Sequence, residues 1–266
     1  MQFRLLSALT VAACASPAFG SAITLGNAAS FAVLGASTVT NTGASTLSGN
    51  LGLYPGTSVT GSSTITLNGA STININNGVA QAGQADALTA YNSLQALAAD
   101  ATLTGDTLGT GGTVLSLTPG VYFYASSAQL TGALTLDFQG LSDQAIIIQI
   151  GSTLTTASGS MVSIINPGSN DAVFWAVGTS AILGTTTAFI GNILADQSVT
   201  LTTGATDSCG SIIGLTGAVT MDTNTVAAGC ATSAAPGSAP EPCSGFLLLL
   251  GFPAILLLHK RNPSRG

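Results

Sequence analysis

The stretch "NILADQSVTLTTGATDSCG", residues 192–210, decides the fold once it is set against its neighbours. Before it runs "FWAVGTSAILGTTTAFIG" (174–191) and after it "SIIGLTGAVTMDTNTVAAG" (211–229). Ala181, Val199 and Val219 share one phase of this alignment, 18 and 20 residues apart. Each unit holds three short β-prone runs separated by Gly, Thr, Asp or Asn. Three strands and three corners per repeat predict a parallel β-helix whose coils bury their apolar sides by stacking.

The period of two in "SVTL" sends Val199 and Leu201 inward and Ser198 and Thr200 outward. In "GAVTM" it buries Val219 and Met221 and exposes Ala218 and Thr220. On any single strand an outward threonine needs no explanation beyond β-propensity. Recurrence in one phase across stacked coils is different, because it builds a continuous flat array.

The first half breaks the strand pattern once. "GVAQAGQADALTAYNSLQALAADA" (78–101) is rich in Ala, Gln and Leu, and Leu88, Tyr91, Leu94 and Leu97 recur every three residues. This predicts a helix over Gln81–Asp100 packed by that stripe along one side of the solenoid. Strands from "FAVLGASTVTNTG" precede the helix and are expected to sit beside much later ones. The fold class is therefore mainly β: a discontinuous three-faced parallel β-helix, or β-solenoid, with one long α-helix packed alongside.

Composition excludes whole classes of chemistry. Charged residues make up 5% of the 266-residue chain, against roughly 25% in ordinary soluble proteins. Between Ser21 and Pro242 there is no Lys, Arg or His. Nucleic acid, whose phosphates need cationic partners, is excluded as a ligand of this region. So are histidine-based triads, imidazole metal sites and Lys or Arg phosphate clamps. No catalytic residue, metal ligand or cofactor is assigned, and the domain is expected to be a monomer.

Both ends read as export signals. Residues 1–22 have a basic start at Arg4, an apolar core from Leu5 to Ala15, and small residues at Ala18, Gly20 and Ala22, as in a secretory signal peptide. "VAAC" (Val11 to Cys14) offers a lipoprotein-type site as an alternative. At the other end, a linker (231–239) leads to "PEP" (Pro240 to Pro242), an apolar run over 246–258 and the basic tail "HKRNPSR". Residues 240–266 together resemble the bacterial PEP C-terminal sorting signal, cut by a membrane protease outside the cytoplasm. The alternative is an uncleaved tail anchor, although the run is short for a span of about 17–25 residues.

Cys209 and Cys230 stand 21 positions apart. One coil of a solenoid sets residues side by side at about 4.8 Å, within bridging range. A disulfide between them suits an oxidising compartment.

Several stretches together resemble the secreted microbial ice-binding proteins: "LGNAASFAVLGASTVTNTGASTLSGNLGLYPGTSVTG" (25–61), "LTPGVYFY" (117–124), "NPGSNDAVFWAVGTSAILG" (166–184) and "GNILADQSVTLTTGAT" (191–206). The resemblance covers residues 23–230, and it departs after "TGATDS", where Cys209, Gly210 and Ser211 replace the family's frequent Gly-Arg. It implies a discontinuous three-faced solenoid with a flanking helix and one flat face that adsorbs to an ice crystal. The corresponding strands are "STVT" (37–40), "ALTL" (133–136), "SAIL" (180–183), "SVTL" (198–201) and "GAVTM" (217–221). The implied ice-binding residues are Ser37, Thr38, Thr40, Thr135, Ser180, Ile182, Ser198, Thr200, Ala218 and Thr220. A threonine offers a methyl that orders water and a hydroxyl that holds it, repeated at about 4.8 Å between coils and about 6.6 Å along a strand.

Two other functions compete. Polysaccharide-cleaving β-helices use clustered carboxylates or a basic residue, whereas the aspartates here form no Asp-Asp or Asp-X-Asp pair. Isolated aspartates are ordinary turn residues. A matrix protein that binds exopolysaccharide is compatible with the sorting signal. Trp175 and Phe174 would then suggest a sugar platform, but their place in "AVFWAV" favours core packing.

Overall fold

The computed structural model describes residues 23–105 and 107–229. The expected signal peptide (1–22), linker (231–239), sorting signal (240–266) and Cys230 lie outside the described residues.

Among the described residues the strands form three parallel sheets of nine, eight and eight strands. Each coil contributes one short strand to each sheet, and corners separate them, as the repeat predicts. The discontinuity is also present. Phe31–Gly35 pairs with both Ile212–Gly214 and Asn50–Leu53. Thr38–Thr42 pairs with Val219–Asp222 and Ser58–Thr60, and Ser45–Ser48 with Thr225–Ala227 and Ile65–Leu67. The chain's first coil is thus inserted between its last coil and its second.

This order creates a problem that the helix solves. The second coil ends at Ile73–Ile75, on one edge of the nine-stranded sheet, while the next strand, Ala101–Thr102, lies on the opposite edge. Nine strands span about 38 Å at 4.8 Å per step. An 18-residue helix, α1 (Gly78–Gln95), rises about 27 Å, and short extended flanks cover the remainder. The helix carries the chain back along the solenoid.

α1 begins and ends earlier than the expected 81–100. Asn77 caps its N-terminus, its side chain accepting from the Ala80 amide at 2.9 Å, so the first turn includes Gly78 to Ala80. At the other end Gln149, from the adjacent sheet, donates to the Leu94 and Leu97 carbonyls at 2.7 and 2.9 Å. It satisfies acceptors that a helix end leaves open. Asp100 is not helical: its carboxylate accepts from the Val121 amide at 2.8 Å, which fixes the start of the next strand.

The expected stripe is corrected at Leu88. A three-residue repeat falls about 60° short of a full turn at each step, so the leucines wind around the helix. Leu94 is buried and Tyr91 and Leu97 pack half-buried against the same cluster, whereas Leu88 is 49% exposed. The fully buried face consists of Ala80, Gly83, Gln84, Ala87, Ala90 and Leu94. Small side chains let the helix lie flat on the sheet.

The nine-stranded sheet is therefore apolar on both sides, which accounts for runs such as "AIIIQI" (145–150) and "AVFWAV" (172–177). Ile146, Ile148, Val173 and Trp175 face the solenoid interior. Ile147, Phe174, Leu194 and Ile213 face the helix. Trp175 is fully buried, donates its indole N–H to the Ile190 carbonyl at 3.1 Å and packs on Phe189 with ring centroids 4.9 Å apart. It is a core residue, as its sequence context predicts.

Candidate functional site

With one sheet covered by the helix, two remain open to solvent. One contains, in spatial order, Ser58–Thr60, Thr38–Thr42, Val219–Asp222, Val199–Leu201, Ala181–Leu183, Leu154–Thr156, Ala128–Leu130 and Thr107–Leu108. We call it the threonine sheet. Inward residues such as Val39, Val219, Val199, Ala181 and Leu154 are wholly buried. Alternation then fixes their neighbours on the outer side.

Register aligns those neighbours. Thr60 pairs with Thr40, Thr40 with Thr220, Thr220 with Thr200 and Thr200 with Ile182. Ile182 pairs with Thr155, Thr155 with Gln129 and Gln129 with Thr107. Six of these eight stacked positions are threonine, on a sheet about 34 Å long at the usual strand spacing. The side-chain hydroxyls of Thr40, Thr60, Thr155, Thr200 and Thr220 make no hydrogen bond within the protein. Each keeps a donor and two acceptor lone pairs for water.

A second outward row lies two residues upstream and behaves differently. Ser198 Oγ accepts from the Ala218 amide at 3.2 Å, and Ser180 Oγ accepts from the Ser198 amide at 3.4 Å. Thr153 and Thr179 share a hydroxyl hydrogen bond at 2.9 Å. These hydroxyls are partly spent on tying coil to coil. Outward of the buried strand residues, then, the upstream row stiffens the later coils, while Thr38 and Ser58 in the first two coils keep free hydroxyls as the downstream row does.

The sequence-derived residues divide accordingly. Thr38, Thr40, Ile182, Thr200 and Thr220 lie in the strands of the threonine sheet, with Ser180, Ser198 and Ala218 one residue ahead of theirs. Ser37 sits at the exposed bend before its strand, its amide bonded to the Gly217 carbonyl, because parity puts Thr38 and Thr40 outward. Thr135 is on a different face. Its strand, Ala133–Asp137, belongs to the other open sheet, and the strand of that coil in the threonine sheet is Ala128–Leu130. "ALTL" alternates just as "SVTL" does, so pattern alone could not separate two sheets of equal period. Sequence reading missed Thr60, Thr155, Gln129 and Thr107. The echo of "TVT" (38–40) in "SVT" (58–60) was a usable signal for the first.

Ile182 interrupts the row with a side chain 40% exposed. Two Gly- and Thr-rich runs, "TGAT" (203–206) and "TGGT" (110–113), fall mostly in corners rather than on a flat sheet. Among the described residues no group of three or more His, Cys, Asp or Glu is placed to hold a metal ion.

One acidic group is set apart from the surface. Asp207 is completely buried, with Oδ1 accepting from the Cys209 amide at 3.2 Å and Oδ2 without a partner. Burial pushes its carboxyl well above the usual carboxylate range, against the pull of the Cys209 and Gly191 amides. Tyr124, buried without a partner for its hydroxyl, is pushed up to about 12 by the same cause. Cys209 itself is disulfide-bonded.

A three-sided solenoid with one helix-covered sheet and one threonine-ranked sheet defines a class of surface-binding protein. Residues 33–227 match the Ice-binding-like family. An ice-binding protein of Nostoc sp. (strain HG1) is 46% identical over 244 residues, covering 91% of this chain and 88% of that protein. The crystal structure of an ice-binding protein from an Antarctic biological consortium is similar at a TM-score of 0.71 and 38% identity, over 85% of this chain and 96% of that one. That of the ascomycete Antarctomyces psychrotrophicus gives a TM-score of 0.69 and 36% identity, over 77% and 97%. The chain belongs to the Ice-binding-like family.

Proposed function

We propose that this protein binds ice outside the cell and arrests crystal growth through the threonine sheet. The observation that carries the reading is the in-register row of threonines with unpaired hydroxyls, on a sheet whose inward residues are packed solid. Family membership and the names of the relatives point the same way. Each threonine contributes little, since its hydroxyl already bonds to liquid water. A rigid lattice of them pre-orders water at fixed intervals, and the ordering cost is met in folding rather than on binding. Charged side chains would hold water in other orientations, and the outward row from Thr60 to Thr107 carries none. The role is adsorption, with no catalytic step.

Delivery follows from the termini. Residues 1–22 would direct export, and residues 240–266 would be cut by a sorting protease or remain as an anchor. The oxidising exterior would favour pairing of Cys209 with Cys230. Exopolysaccharide remains a second partner compatible with that location, although the burial of Trp175 removes the aromatic platform that this reading would use.

Growth of a single ice crystal in a solution of the purified protein tests the proposal. Faceted crystals whose growth halts within a small supercooling gap are expected. Round crystals that grow freely in a demonstrably folded sample would overturn it.

A further inference from the structure

We infer that the ice-adsorbing surface does not stop at the threonine sheet: the other open sheet carries a second adsorbing face over the same four coils. This rests on the ice-binding reading above and extends it.

The second face is built from strands Ile65–Leu67, Ser45–Ser48, Thr225–Ala227 and Thr206–Asp207, neighbours in that order. Thr66 pairs with Thr46, Thr46 with Thr225 and Thr225 with Thr206. Their strand neighbours Leu47, Val226 and Asp207 are buried, so the four threonines point outward. Thr66 and Thr225 are exposed and Thr46 and Thr206 half-buried. The hydroxyls of Thr46, Thr66 and Thr225 have no partner in the protein, and that of Thr206 has one long contact, 3.5 Å to the Thr187 carbonyl.

Three relationships separate this row from threonines placed by β-propensity. First, propensity would act on the whole sheet, yet the next three positions are Ala188, Met161 and Ala133. Second, the row coincides coil for coil with the uninterrupted run on the threonine sheet: Thr60 with Thr66, Thr40 with Thr46, Thr220 with Thr225 and Thr200 with Thr206. Both rows then break in the same coil, at Ile182 on one face and Ala188 on the other. Third, the row is not wholly a local tandem repeat. Thr46 and Thr225 are neighbours in space but come from opposite ends of the domain, and the alignment exists only once the chain is folded.

The corner between the two faces carries further hydroxyls, interrupted by one carboxylate. The Thr185 and Thr202 hydroxyls lie 3.4 Å apart, and Thr203 hydrogen-bonds to Asp222. Two faces of one solenoid point in different directions and cannot both lie on a single flat plane of ice. The four-coil block therefore adsorbs in two orientations, on different planes or on the two walls of a growth step.

The test uses the protein fused to a fluorescent protein and adsorbed to a single-crystal ice hemisphere. One variant blocks the threonine sheet (Thr40→Tyr with Thr200→Tyr), one blocks the other face (Thr66→Tyr with Thr225→Tyr), and one combines all four changes. Each single-face variant is expected to keep adsorbing, on a reduced and different set of planes, and the combined variant to be excluded from ice. Circular dichroism and melting confirm folding. If the tyrosine pair prevents folding, Thr225→Lys at an exposed position reports on the same face. Loss of all adsorption on blocking the threonine sheet alone overturns the second face and leaves the first standing. Exclusion of the unaltered protein from ice overturns both.

Discussion

Thr200 stands directly across from Thr220 in the adjacent coil, and the residues before them, Val199 and Val219, pair in the same ladder with both side chains wholly buried. A single step along the backbone therefore separates the proposed ligand surface from the core. Thr200→Tyr should lift the flat face off the lattice and sharply reduce growth arrest, with any remainder coming from the second face. Stability should move by no more than about 0.5 kcal/mol, as for most surface changes. Val199→Tyr should do the opposite, overpacking the interior at a cost of roughly 1–3 kcal/mol. Crystal-growth assays paired with thermal melts of both variants separate the two effects. Full activity in Thr200→Tyr would show that the face is wrongly assigned.

Thr135→Tyr provides the matching control. Thr135 lies off the threonine sheet and pairs with Ser116 and Ser163, beyond the block of four consecutive threonine coils. A bulky ring there should leave the freezing gap unchanged. A sharp fall would mean that the interrupted part of that sheet also meets ice.

The sequence made the coil repeat and the inward set of residues legible, because each rests on period and composition. It pointed to early strands beside late ones, but the insertion of the first coil between the last and the second is visible only in the pairing. Face assignment was only partly legible. "SVTL" and "ALTL" obey the same alternation, and which of two open sheets a strand joins depends on how many residues its corners consume. The helix was legible as an element but not in its orientation. Its contact face is mostly Ala and Gly, which carry little hydrophobic signal, whereas Leu88 advertised a face that ended up in solvent. Thr155 and Gln129 were hidden for a related reason: their coils are longer than the 18 to 20 residues of the quoted repeat.

Ile182 occupies the one position that separates Thr200 from Thr155 in the outward row. Ile182→Thr should extend the free-hydroxyl lattice to six consecutive coils. The two residues have similar β-propensity and the site is 40% exposed, so stability should stay within about 0.5 kcal/mol. The freezing gap at equal protein concentration should widen. An unchanged or narrower gap would show that the isoleucine already fits the surface water.

Asp207 gives the domain a pH dependence of defined sign. Its folded-state pKa is raised by burial, whereas the unfolded chain titrates near 3.9. The folded state therefore holds its proton more tightly. The associated stability is fully present below about pH 4 and is lost as pH rises toward the folded value. Asp207→Asn keeps an oxygen to accept from the Cys209 amide and cannot ionise. Its melting temperature should vary less than the parent's from pH 4 upward, with the variant gaining on the parent toward neutral pH. Parallel pH–melting curves for the two proteins would contradict the assignment.

The last prediction concerns the seam between helix and sheet, where Phe31 is clamped between two glycines. A Cβ at Gly83 of the helix would lie 2.7 Å from the ring, and one at Gly52 of the sheet 2.5 Å from it. Helix propensity alone favours Gly83→Ala by about 1 kcal/mol. The buried ring cannot withdraw from the helix without meeting Gly52, so the added methyl must push the helix outward instead. Overpacking of this kind costs roughly 1–3 kcal/mol, which outweighs the propensity gain. Gly83→Ala should therefore lower the melting temperature despite being a better helix former. Ice activity at low temperature should persist, since both open sheets are remote from this seam. Stabilisation by the alanine would show that Phe31 has room to turn.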